Sequence, residues 1–148
     1  MNALDITCGA ELGKFQPQYI NGRPILTGYE NIKGICGWCG KQLTGRQRLW
    51  CPGHGEIYHE HFDWNWASSA ALDRAQHRCE NCGAIEKRSK NWLINLQVHH
   101  IVPLNGGMRW LSAYNLPFNL MVLCHDCHVG PEGIHAAMKF EYTQGKML

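Results

Sequence analysis

The chain has 148 residues, 45% of them hydrophobic, a formal net charge of +2, eight cysteines and nine histidines. It holds no run of about 18 apolar residues, which argues against a membrane span, and a net charge of +2 gives no overall field that would advertise a nucleic acid. Residues 1–15, MNALDITCGAELGKF, lack a basic start followed by an apolar stretch, so the expectation is a cytoplasmic protein in a reducing environment rather than a secreted, disulfide-bonded one.

Residues 1–34 carry turn formers at Gly9, Gly13, Pro17, Asn21-Gly22, Pro24 and Gly28 without a clear period. They read as an irregular N-terminal segment with a short strand at Arg23–Leu26. Residues 35–61 read as a small zinc module. Cys36 and Cys39 form a CxxC pair flanked by Gly37 and Gly40, and Cys51 follows after a hairpin-like stretch. Two residues between cysteines let both sulfurs face one tetrahedral ion, which then needs a fourth ligand. His54 is the best placed, with His59 and His61 as rivals in the same segment.

Residues 62–78 predict a helix, with Asp63 as N-cap and a run of alanines at Ala67, Ala70, Ala71 and Ala75. Trp64 and Trp66 at its start read as anchors to the core. Two further CxxC pairs, Cys79/Cys82 and Cys124/Cys127, bracket a strand LINLQVHH, a loop through Pro103 and Gly106-Gly107, and a strand NLMVLC. Four thiolates so arranged make a closed structural zinc site with no open position for a substrate. Clusters of Arg74, Arg78, Lys87, Arg88 and Lys90, and of Lys41, Arg46 and Arg48, are either solvated surface or phosphate contacts.

The zinc scaffold leaves His99, His100, Asn119 and His128 unassigned. Here CxxC, then VHHIVPLNGG, then NLMVLCHDCH resembles the HNH endonucleases over about residues 79–128. The resemblance implies an α+β fold: a small zinc-stapled domain with a ββα-metal (HNH, or His-Me finger) catalytic unit spanning 62–148, preceded by the zinc module. It implies that His99 and His128 hold a catalytic divalent metal (Mg²⁺, Mn²⁺, Ni²⁺ or Zn²⁺), beside one or two structural Zn²⁺. It implies that His100 is the general base and that Asn119 pins the loop and orients that base.

Imidazole suits the role, because its ordinary pKa near about 6.5 leaves it able to take a proton from water at neutral pH. DNA is the implied partner, with Arg109 a candidate phosphate contact. Neighbouring residues of a regular strand face opposite ways, so His99 and His100 serve one phosphate only if the strand ends there. Val129-Gly130-Pro131-Glu132-Gly133 should break the helix after His128 and restart it from about Pro131 to Tyr142. His135 beyond the break is either a third ligand or a surface histidine. The competing class is a noncatalytic zinc-ribbon protein that binds nucleic acid or protein. It accounts for the cysteine pairs but not for the ordered set of His99, His100, Asn119 and His128.

Overall fold

The computed structural model describes residues 1–85, 96–104 and 109–136. The chain divides into two compact units, the first of residues 1–69 and 100–119, the second of 70–99 and 120–148. The expected basic cluster at Lys87–Lys90, the start of the strand at Leu93, Gly106-Gly107 and the helix end at Tyr142 lie outside the described residues. No helix among the described residues is long and apolar enough to cross a membrane.

In the first unit, residues 1–34 are more ordered than their composition predicts. A 3-10 turn at Ala3–Asp5 is capped by Asn2, and a single helical turn, α1 (Gly9–Leu12), follows. Strands β1 (Gln18–Ile20) and β2 (Arg23–Ile25) then pair antiparallel. Asn21 and Gly22 both take positive φ, 51° and 74°, as a two-residue hairpin turn that follows the strand twist requires. Leu12, Phe15 and Leu26 from this segment pack with Tyr58, Phe62 and Leu116 into one apolar core. The three-residue strands are too short to display a period, which is why the sequence reads as irregular there.

The helix expected over 62–78 is present, and a further helix precedes it within the segment read as the zinc module. Helix α2 (His54–Phe62) starts after Gly53, whose φ is 77°, and buries Tyr58 and Phe62 at i,i+4 spacing. The chain breaks at Asp63, and α3 (Trp64–Arg74) begins there. Asp63 Oδ1 accepts from Asn65 N at 3.0 Å, the capping role expected of it. Residues 76–78, the predicted end of the helix, leave it because Gln76 and His77 take φ of 53° and 52°. In the loop before residue 119, Ser112 caps one 3-10 turn (Ala113–Asn115) and a second (Pro117–Asn119) follows.

In the second unit, β3 (Gln97–His100, its last residue falling in the first unit) lies beside β4 (Leu120–Leu123), and α4 (His125–Val129) follows directly. The Cys79–Cys82 turn is strapped to β4 at Glu80. Its N–H donates to Val122 O at 2.8 Å, and its Oε2 accepts from Val122 N at 2.6 Å. Helix α4 stops at Gly130, and residues 134–136 are helical again, so the break after His128 lies where the sequence places it.

Candidate active site and metal centres

Among the described residues, three groups of side chains have ligand atoms within 4.8 Å of one another: Cys36, Cys39, Cys51 and His54; Cys79, Cys82, Cys124 and Cys127; and His99, His128 and His135. The eight cysteines are all free thiols. In the first quartet Cys39 Sγ stands 4.0 Å from Cys51 Sγ, and Cys36 Sγ 3.5 Å from His54 Nδ1. In the second, Cys82 Sγ stands 3.7 Å from Cys124 Sγ. Sulfurs about 2.3 Å from one tetrahedral zinc are about 3.8 Å apart, so the spacing suits that ion and is far too long for a disulfide.

The electrostatics of the quartets point the same way. Burial opposes a thiolate at Cys36, but the backbone N–H groups of Cys39, Cys51 and Trp38 outweigh it and draw its pKa down to about 6. At Cys79 burial is likewise overcome, by the N–H groups of Cys82, Cys124 and Asn81, again to about 6. Cys51 is pushed up to about 11 by burial and by Cys36 and Cys39. A second thiolate beside the first is therefore disfavoured unless a cation is shared, and the donor set fits Zn²⁺. His54 completes the first group. Of its rivals, His61 bonds Ile57 O at 2.8 Å and lies against Trp38, while His59 sits 3.9 Å from Asp63.

The histidine group, in the second unit, is built by three local devices. β3 delivers His99, which is buried. Helix α4 delivers His128, whose Nδ1 bonds the side-chain oxygen of Gln97, so the proton sits on Nδ1 and the lone pair on Nε2. The turn after α4 then brings back His135. A Cβ on Gly130 would collide with the Asp126 carbonyl oxygen, and one on Gly133 would lie 2.9 Å from it. Only glycine permits so close a reversal. His128 Nε2 is 3.1 Å from His99 Nδ1 and 2.9 Å from His135 Nε2. Nitrogens about 2.0–2.1 Å from one ion stand about 3 Å apart when adjacent, and an imidazole-only donor set suits a divalent ion of the later first row. Burial, then the nearby His135 and His125, lower the pKa of His128 and favour the neutral, ligating form.

His100, in the first unit, is held by different neighbours. Its ring stacks on Trp64, centroids 4.9 Å apart, and Arg109 lies 4.8 Å over the same indole. His100 Nε2 is 2.9 Å from Asn115 Oδ1. The Asn115 amide is fully buried and donates to Phe62 O at 2.7 Å and to Arg109 O at 2.8 Å, so its orientation is set and Oδ1 can only accept. His100 must therefore carry its proton on Nε2, which leaves the Nδ1 lone pair. Burial lowers the pKa of His100, with Arg109 acting in the same sense against the Asn115 bond.

Asn119 holds the loop at three points: Oδ1 accepts from Val102 N at 2.7 Å, and Nδ2 donates to Val102 O and Tyr114 O. The side chain that bonds the His100 ring is thus Asn115, a residue the sequence reading passes over. Trp64, read as a core anchor, is the platform under His100, and Trp66 is 48% exposed.

Residues 79–130 match the HNH family model, that of an HNH endonuclease. The matched segment contains the second cysteine quartet, His99, His100, Arg109, Asn115, Asn119 and His128. His135, Trp64 and the first quartet lie outside it. No curated protein and no solved structure matches the chain.

Proposed function

We propose that the protein is a metal-dependent endonuclease that hydrolyses phosphodiester bonds of DNA. The observation that carries this reading is the committed tautomer of His100: Nε2–H is spent on Asn115, and Nδ1 is left as a base. His100 follows directly on His99, one of three imidazoles suited to a divalent ion. β3 ends at His100, so the alternation of a regular strand need not separate the two. In this reading β3, β4 and α4 form the ββα-metal unit of a nuclease domain spanning 62–148. Residues 35–61 are a zinc module and 1–34 an N-terminal segment packed on it.

The cysteine quartets hold structural zinc, which suits a reducing, intracellular setting. His99, His128 and His135 would hold the catalytic ion, which would supply Lewis-acid stabilisation of the charge on the phosphate and on the departing 3′ oxygen. His100 Nδ1 takes the proton of the attacking water. Trp64 and Asn115 keep the ring in one plane and one tautomer. Asn119 pins the loop that carries Arg109, and Arg109 meets a neighbouring phosphate. The products are 5′-phosphate and 3′-hydroxyl ends.

The test is incubation of supercoiled plasmid with the wild type and with His100→Ala, each first shown folded, while Mg²⁺, Mn²⁺, Ni²⁺ or Zn²⁺ is added in turn. The expected result is nicking or linearisation by the wild type with added metal, and loss of about 100- to 10,000-fold in the variant. Retardation of DNA without cleavage by either protein would replace this reading with that of a zinc-ribbon binding protein.

A further inference from the structure

The first unit contains a cavity of about 520 Å³ that has no part in the proposed hydrolysis. Its size lies within the range of about 300–1,000 Å³ typical of ligand sites. One wall is the indole of Trp50. A Cβ on Gly37 would stand 2.8 Å from Trp50 Cζ3, and one on Gly55 3.0 Å from Cδ1, so the two glycines, each next to a member of the first quartet, let the ring lie close against the backbone. Tyr58 supports it, centroids 4.7 Å apart.

The same cavity gathers large apolar side chains left in water: Ile32, Leu49 and Trp110 are 50%, 63% and 53% exposed. Three exposed cations, Arg23, Lys33 and Arg48, also line it, and none makes an ion pair with any described residue. The two acids in the lining are occupied elsewhere. Glu30 accepts from Leu26 N, Thr27 N, Thr27 Oγ1 and Tyr58 OH, and Asp63 caps Asn65. Flat aromatic walls beside unpaired cations complement a ligand with a planar face and a negative charge, which is the chemistry of a nucleotide.

We propose that this cavity receives one unpaired nucleotide of a DNA strand, its base against Trp50 and Trp110 and its phosphate among Arg23, Lys33 and Arg48. The naming of DNA rests on the nuclease reading. A base within a duplex would first have to be unstacked and unpaired, which costs free energy, so the cavity would favour frayed, branched or single-stranded DNA.

The experiment measures fluorescence anisotropy of a labelled single strand and of its blunt duplex with the His100→Ala protein, which should bind without cutting. Trp110→Ala and the pair Lys33→Ala/Arg48→Ala are added to that background, all at exposed positions, with far-UV circular dichroism confirming the fold. The strand should bind at least about fivefold more tightly than the duplex, and Trp110→Ala should remove that preference. The cation pair should flatten the salt dependence of strand binding. Equal affinity for the two forms, or a preference that survives Trp110→Ala, overturns the proposal. A wild type that cuts plasmid without a strand preference overturns the cavity assignment and leaves the nuclease standing. A strand preference lost in Trp110→Ala, in a protein whose wild type never cuts, supports the cavity and overturns the nuclease.

Discussion

At His100 the orientation of the ring is set by a side chain fifteen positions away. Asn115 spends both N–H bonds on carbonyl groups and so has only an oxygen to offer the imidazole. Asn115→Ala should cost about 1–3 kcal/mol of stability, because the Phe62 and Arg109 carbonyls lose their partner, which thermal unfolding would measure. It should also slow cleavage by about 10- to 100-fold, less than loss of the base itself. The pH dependence has a definite sign. Burial holds the His100 pKa below its ordinary value near about 6.5, so the acid limb of kcat/KM should lie below that pH, with activity lost as the pH falls through it. Asn115→Asp would place a carboxylate beside the imidazolium and move the limb upward, whereas a purely structural asparagine would leave it in place. The sequence announces His99, His100 and Asn119 because they recur in a short ordered pattern. Asn115 and Trp64 are silent there, because their roles exist only once the chain folds the 62–64 segment against the loop.

At the scale of elements, the third imidazole depends on the reversal between α4 and residues 134–136. Gly130 and Gly133 carry no unusual φ; they are needed because the turn lies against the Asp126 carbonyl. The sequence shows the helix break, since proline and glycine disrupt helices locally, but the direction in which the chain returns is set by packing. Gly133→Ala should therefore displace His135 and weaken metal binding at the histidine group by about tenfold or more, read by competition with a chromophoric chelator, while the cysteine quartets keep their zinc. Because imidazole nitrogen prefers the later first-row ions, Ni²⁺ or Zn²⁺ should support cleavage better than Mg²⁺ or Mn²⁺ at equal free concentration. The strand at Arg23–Ile25 was legible in the sequence, whereas its partner β1 and helix α2 were not, for a related reason. A three-residue strand shows no period, and the histidines, glycine and glutamates of α2 read as a ligand-rich loop although Tyr58 and Phe62 bury one helical face.

For the whole molecule, the balance of energies favours dependence on metal. A structural zinc site contributes about 10–16 kcal/mol of apparent binding energy, against about 5–15 kcal/mol for the stability of an entire domain. Each unit has one cysteine-containing quartet. Cys79→Ser should lose one bound zinc and unfold the second unit, whereas Cys36→Ser should do the same to the first; elemental analysis with circular dichroism would follow both. The two cysteine-containing groups were legible in the sequence because metal ligands cluster at short spacings, whatever the surrounding fold. The cavity was not, since its lining comes from five separate stretches of the chain.

The most direct test of the central claim is the single-turnover cleavage rate of a labelled DNA substrate by His100→Ala, at saturating divalent metal, with metal affinity measured on the same preparation. The account predicts a rate at least about 100-fold below wild type with unchanged metal affinity. A wild-type rate, or a loss wholly explained by weaker metal binding, would contradict the assignment of His100 as the base.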